Sequence, residues 1–190
     1  MLLRMELQQA IAGRRSVRGY TGAKLDRPTV QRLLEAAVRA PTAVHEEPWR
    51  FLIVQDDALM KRVSDRAKVL FAEEIRKLHL DRPGMEQFSR PEFNIFYGAG
   101  TLILICASIH LHFAAADCWL AAENLMLDAF ARGFGSCVIG SAVTALNQRE
   151  LKETLGIPPD LSVLAPIIVG VAKGDWPATE RQAPAVIGWR

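Results

Sequence analysis

Apolar positions along this chain follow two rhythms. Between Asp26 and Pro41, the residues Val30, Leu33, Leu34, Ala37 and Val38 recur at three- and four-residue intervals, the stripe of an amphipathic helix. Asp26 and Pro28 are start signals for it. Pro41 ends it, because proline disfavours helical geometry in the residue before it. Leu7 and Ile11 fit one face of a shorter helix that stops at Gly13. Leu59, Val63, Leu70 and Phe71 mark the inward side of a long helix from Ala58 to about Leu80, followed by a loop at Pro83 and Gly84 that reaches toward Arg90. Asn147 with Glu150 resembles a capping box for a helix to Leu155.

The second rhythm is the unbroken apolar run. TLILICA (Thr101 to Ala107) predicts a buried strand of a sheet covered on both faces. WRFLIV after Pro48 reads as another buried strand, Ser136 to Gly140 as a short apolar one, and Leu161 to Val171 as the last core strand. The stretch Phe113 to Arg132 is helical in pattern but apolar nearly all round, and Gly133 closes it. Such a helix is buried, either inside its own domain or in a dimer interface. A polar tail containing Trp176 and Arg181 follows the last strand.

Composition narrows the picture. With 190 residues, half of them hydrophobic, and no linker or repeat, residues 1–190 are expected to form one domain with a sizeable core. The 23 basic and 21 acidic side chains leave a net charge of +2, with no general pull toward nucleic acid or membrane. The first ten residues lack the apolar run of a signal peptide. The run Thr101 to Ala107 is too short to span a bilayer, and glycines at 98 and 100 break its extension toward Ile95. Cys106, Cys118 and Cys137 make an odd count without C-x-x-C spacing, which argues against a disulfide framework or zinc and for a reducing cytoplasm.

Charge is concentrated locally. GRRSVRGY (Gly13 to Tyr20) sets Arg14, Arg15 and Arg18 around Ser16, a cluster suited to phosphate but equally readable as a solvated charge run. GFGSCVIG (Gly133 to Gly140) fails as a dinucleotide fingerprint. Its third glycine position is Val138, and it leads from helix to strand rather than strand to helix. Gly133 reads as a helix cap, whereas Gly135 and Gly140 suggest close approach to the backbone. His110 and His112, spaced as on one strand face with Asp117 nearby, read as solvated surface histidines rather than metal ligands. PTAVHEEPWRF puts a histidine and two acids where a loop enters the core. No nucleophile elbow or phosphate-cradling GK[ST] loop is present.

Taken together and in order, these pieces resemble the FMN-dependent nitroreductase family. Its R-R-S-x-R motif stands here as Arg14-Arg15-Ser16-Val17-Arg18, and its A-P-S-A-x-N-x-Q-P-W-x-F motif as Ala40 to Phe51. Its G-L-G-[ST]-C-x-I-G segment stands as Gly133 to Gly140. The L-G-I-P turn, the V-G strand end and the late arginine are Leu155 to Pro158, Val169-Gly170 and Arg181.

The resemblance implies an α+β fold with a central, mostly antiparallel sheet flanked by helices, in an intertwined homodimer with FMN at the interface. It implies that Arg14 and Ser16, with Arg181, hold the FMN phosphate, that Arg15 also belongs to the cofactor site, and that Arg18 lies near the pyrimidine edge of the ring. Pro41, Thr42 and Ala43 of the other chain would line the ribityl and phosphate side. Val138, Ile139 and Gly140 would pass under the ring, with the Gly140 N–H toward N5. Phe113 to Arg132 becomes the dimer-core helix. NAD(P)H is the implied donor and a nitroaromatic or quinone the implied acceptor, exchanged by a ping-pong route, so no side chain is expected to act as a catalytic nucleophile or acid–base pair.

The chain departs from the family at His45 and Glu47, where neutral amides usually meet the flavin's polar edge. An ionised carboxylate cannot donate a hydrogen bond, so Glu47 is expected to be protonated, turned away, or paired with His45 or Arg50. Thr179 replaces a common basic residue, and residues 72–95 match no family pattern. Two other classes remain: an FMN-binding protein without nicotinamide turnover, such as a flavin-remodelling enzyme or flavin carrier, and a cofactor-free interaction module.

Overall fold

The computed structural model describes residues 5–77, 79, 85–177 and 180–190. Its sheet is built on the most apolar run of the chain. β2 (Thr101–Ser108) is buried on both faces up to Ala107 and pairs antiparallel with β1 (Arg50–Val54) on one side and β4 (Leu161–Gly170) on the other. β3 (Gly135–Val138) pairs antiparallel with the far side of β4, giving the order β1-β2-β4-β3. Leu102, Leu104 and Cys106 face one core, and Ile103, Ile105 and Ala107 the other, as strand alternation requires. In β4 the register slips opposite Ile105 and Cys106, so that Val163 and Ala165 turn to opposite cores. Pro166 follows this irregularity and lies beyond the last paired residue of β3, where its missing N–H costs little.

Helices cover both faces. α2 (Arg27–Ala37) and α4 (Ala114–Ala131) lie on one side, and α3 (Asp57–Lys77) packs on the other with the short α5 (Val143–Leu146) and α6 (Arg149–Leu155). α2 starts as its sequence signals: the Asp26 carboxylate accepts from the Thr29 N–H at 2.9 Å, with proline in the first turn. α1 (Leu7–Gly13) packs on α4. The expected end of the long helix near Leu80 and the loop at Pro83 and Gly84 lie outside the described residues.

α1 ends at Gly13 as expected, whereas β1 and the cap of α6 depart from expectation. α1 buries Ala10, while Leu7 and Ile11 are 66% and 59% exposed. Space requires a glycine at position 13, because a Cβ there would lie 2.4 Å from the Phe130 ring. β1 is not a fully buried strand but an edge strand, with only Val54 fully covered. Gln148, not Asn147, precedes α6. The Asn147 amide instead donates to the Val143 and Val163 carbonyls and accepts from the Val163 N–H, tying α5 to β4.

β2 ends at Ser108, so His110 and His112 lie in an exposed turn rather than on a strand. No group of three or more His, Cys, Asp or Glu side chains that could hold a metal occurs among the described residues. No helix among them is long and apolar enough to cross a membrane.

Candidate functional site

The arginine loop is positioned by strand-like pairing at its centre. Ser16 forms a parallel bridge with Ser136 of β3, and the Val17 N–H donates to the Ser136 carbonyl at 3.0 Å. Farther along, Tyr20 bridges Ala172, and the Lys173 N–H donates to the Gly19 carbonyl at 2.9 Å. Val17 is buried against Gly135, where a Cβ would come within 2.7 Å of its methyl group. The expected close approach at Gly135 is therefore to the arginine loop itself.

This pairing separates the three arginines. Arg15 is committed to backbone carbonyls: Nη1 donates to Ala12 at 2.6 Å and Arg14 at 2.8 Å, and Nε to Pro177 at 3.2 Å. It fastens the start of the C-terminal tail. Arg14 Nε lies 3.3 Å from the Glu123 carboxylate of α4 but makes no hydrogen bond, although the atom is buried. Arg18 is exposed beside Tyr97 and Cys137. Burial raises the Tyr97 hydroxyl above its ordinary pKa, and the Arg18 charge pulls it partly back. Cys137 is raised in the same way, with Arg18, a hydrogen bond from Ser16 and the Arg14 charge opposing burial.

Two cavities flank β3. One, of about 570 Å³, is lined by Arg18, Tyr97, Phe88 and the run Val138, Ile139 and Gly140 at the end of the strand. A Cβ on Gly140 would meet no atom within 4 Å, so that stretch of backbone faces open space. A second cavity of about 300 Å³ is lined by Arg14, Arg15, Ser136 and Trp176, among others. Arg14 Nε, Ser136 Oγ and Trp176 Nε1 are all buried there without a hydrogen-bond partner. Buried polar groups rarely stay unpaired in folded proteins. Three of them around one cavity suit an oxygen-rich anionic group such as a phosphate ester.

The second half of the expected site lies elsewhere on the chain. Pro41, Thr42, Ala43, His45 and Glu47 form the connection between α2 and β1 and line neither cavity. Val44, His45 and Glu47 have φ of 46°, 57° and 46°, a left-handed geometry that is strained for a β-branched valine. The turn is held to α4 by the Ala43 N–H, which donates to Asp117 Oδ1 at 3.2 Å. His45 and Glu47 are exposed. Arg50 donates to the Glu47 and Trp49 backbone carbonyls, and no ion pair links it to the Glu47 carboxylate. Arg181 lies in the exposed C-terminal tail, and Thr179 is outside the described residues.

The structure thus brings Arg14, Arg15, Ser16 and Arg18 together with Val138, Ile139 and Gly140, and separates them from the 41–47 turn. Tyr97, Ser136 and Trp176 were not assigned roles from the sequence. A tryptophan in an otherwise polar tail was the one usable signal among them. Asp117, considered beside the histidines, is a buried acceptor for the turn instead.

Comparison with known proteins gives a consistent result. The family model described as Nitroreductase family matches residues 11–171. A Thermus thermophilus protein named NADH dehydrogenase is 25% identical over 203 aligned positions, covering 98% of this chain and 97% of its own. An iodotyrosine deiodinase from Thermotoga neapolitana is 28% identical over 164 positions, covering 83% of each chain. Among solved structures, a nitroreductase from Bacteroides fragilis with bound FMN has a TM-score of 0.80 at 26% identity, covering 96% of this chain and 97% of that one.

Proposed function

The chain belongs to the Nitroreductase family, and on that premise we propose that it is an FMN-dependent oxidoreductase working between NAD(P)H and an oxidised acceptor such as a nitroaromatic or quinone. The observation that carries this reading is the pair of cavities along β3: backbone open at Gly140 beside Arg18, and three buried polar atoms at Arg14, Ser136 and Trp176 without a hydrogen-bond partner. The residues present fit a flavin nucleotide. Arg14, Ser16 and Ser136 would take the phosphate end, with Arg181 reaching it from the tail, and Val138 to Gly140 would support the ring with Arg18 at its polar edge. Bound FMN would supply reversible hydride and electron chemistry, with donor and acceptor visiting in turn.

The protein's own part is binding and electrostatics. Arg18 offers a fixed positive charge toward the cavity, and the Gly140 position has no side chain to hinder a planar group. The 41–47 turn would complete the site from a second copy of the chain. Support for a homodimer comes from Leu7 and Ile11 of α1, Trp119 and Leu120 of α4 and Phe113 just before it, large apolar side chains left exposed on one chain. Cys106, Cys118 and Cys137 are free and buried, as suits a cytoplasmic protein.

The test is the visible absorption spectrum of the purified protein, recorded anaerobically before and after adding each nicotinamide. Flavin bands that bleach within the mixing time support the proposal. Colourless protein that gains no colour with added FMN overturns it. A second reading, an FMN protein without efficient nicotinamide turnover, is favoured by the similarity to a deiodinase and by His45 and Glu47 in place of amides. Bound flavin reduced slowly by both NADH and NADPH would select it.

A further inference from the structure

Phe88 lies between two cavities. On one side is the cavity of Arg18, Tyr97 and Val138 to Gly140. On the other is a cavity of about 550 Å³ walled by Lys61, Asp65, Lys68 and Arg76 of α3 and by the turn of Ser89, Arg90 and Pro91. Among the described residues, four cationic residues line this recess with a single carboxylate, in a chain whose net charge is only +2.

The partners of these groups separate structural charge from available charge. Asp65 is shared by Lys61 and Lys68. Lys68 is buried and donates to the Pro91 carbonyl at 2.9 Å and the Arg90 carbonyl at 3.4 Å, which fixes the turn against α3. Arg76 uses only Nε, on the Ala72 carbonyl at 3.3 Å. Arg90 has no side-chain hydrogen bond or ion pair among the described residues, and neither guanidinium meets a carboxylate there. A surface salt-bridge network would have paired them. Among the described residues, the Arg90 guanidinium and the Nη groups of Arg76 have no partner, and the recess they line is separated by one aromatic ring from the cavity assigned to the redox cofactor.

We propose that this recess binds the phosphate groups of the nicotinamide donor, with Arg76 and Arg90 as bidentate partners and Lys61 as a point charge; the inference rests on the oxidoreductase reading above. The nicotinamide end lies on the Arg18 side of Phe88 and the phosphates on the α3 side. Guanidinium groups match phosphate oxygens two at a time, and a phosphate monoester carries nearly two charges near neutral pH. A donor with an additional 2′-phosphate therefore gains most, so NADPH is the preferred donor over NADH.

The experiment uses the holoprotein and the double variant Arg76→Glu/Arg90→Glu, with circular dichroism as a folding check and Arg76→Lys/Arg90→Lys as the conservative variant. For the glutamate variant kcat/KM is expected to fall at least about tenfold with NADPH and by a smaller factor with NADH, which lacks the 2′-phosphate. The lysine variant recovers part of that loss. Calorimetry with adenosine 2′,5′-bisphosphate at low salt should show one site per chain in the parent and none in the glutamate variant. Unchanged kcat/KM for NADPH together with unchanged adenosine 2′,5′-bisphosphate binding overturns this site, whether or not the protein is an oxidoreductase. Inorganic phosphate binding as tightly as the adenosine bisphosphate overturns the dinucleotide assignment. No reduction by either nicotinamide, with adenosine bisphosphate binding still lost in the glutamate variant, supports a nucleotide site here while overturning the turnover proposed above.

Discussion

Ser16 runs parallel to Ser136, and through the neighbouring Val17 N–H the arginine loop is hydrogen-bonded onto β3 at 3.0 Å. One short strand thereby sets the position of Arg14 on one side and Arg18 on the other. The pairing depends on Gly135, because any Cβ there would press into Val17 at 2.7 Å.

Gly135→Ala should therefore push the arginine loop off β3 and destabilise the fold by about 1–3 kcal/mol, the usual cost of overpacking. Gly140→Ala adds a methyl group to open space, so its urea midpoint should match the parent's while its FMN affinity falls. Paired urea and flavin titrations separate the two. If both substitutions destabilise alike, or neither weakens FMN, the assignment of the two glycines is wrong.

Phosphate recognition can be isolated by comparing FMN with riboflavin, which lacks the phosphate. Arg14→Ala should weaken FMN binding by about 1.5–3 kcal/mol, as for hydrogen bonds to charged groups, and riboflavin binding by much less. Trp176→Phe keeps the ring but removes the unpaired N–H, and should cost FMN alone about 1 kcal/mol. Equal losses for both ligands would show that these side chains do not contact the phosphate.

Dimerisation and flavin binding should fail together. Trp119 and Leu120 are each 46% exposed on α4, so Trp119→Lys/Leu120→Lys places two charges in the proposed interface and should yield monomers in sedimentation. Those monomers should also lose FMN, because the 41–47 turn lines neither cavity of its own chain. A monomer that keeps stoichiometric FMN contradicts the shared site.

The buried thiols predict alkaline sensitivity. Burial pushes Cys106 up to about 11 and Cys118 to about 12 from an ordinary value of 9.0. Because the folded-state values are raised, this contribution is fully present below about pH 9. It is lost as pH rises toward 11–12, by up to about 1.4 kcal/mol per pH unit for each thiol. Cys137, Tyr20 and Tyr97 are raised as well and act in the same direction. Urea midpoints should be flat from pH 7 to 8.5 and fall above it, less steeply in Cys118→Ala. A midpoint independent of pH up to 10.5 would contradict the burial of these groups.

The sheet was legible wherever one side chain's environment follows from its neighbours in sequence. TLILICA is buried on both faces because helices pack on each side of the sheet, and its unbroken run says so. WRFLIV looks the same but forms an edge, since nothing in a strand's own composition records whether a second neighbour exists. Leu7 and Ile11 mark a helix correctly yet point away from the core. Their apolar face stays exposed among the described residues. The site divides the same way: the arginine loop and GFGSCVIG were readable as motifs, whereas Ser136 and Trp176 matter through unpaired atoms that only three dimensions reveal.

Glu47 sits where the family usually carries a neutral amide, and its exposed side chain has no ion-pair partner among the described residues. If the turn faces the flavin of a second copy, this carboxylate opposes the negative charge that reduction adds to the ring. Two unit charges 6–10 Å apart at an effective dielectric of about 20–40 interact by roughly 1–3 kcal/mol. Exposure to solvent places Glu47 toward the lower end. Glu47→Gln keeps the shape, removes the charge and restores an amide donor, so the two-electron midpoint potential should rise by about 20–40 mV, with 30 mV equivalent to about 1.4 kcal/mol. His45→Gln changes the neighbouring position without removing that carboxylate and should shift the potential less. A spectroelectrochemical titration of the three proteins decides the matter. A Glu47→Gln potential identical to the parent's would mean that the carboxylate does not act on the flavin, and the left-handed turn at Val44 to Glu47 would then need another reason for its strain.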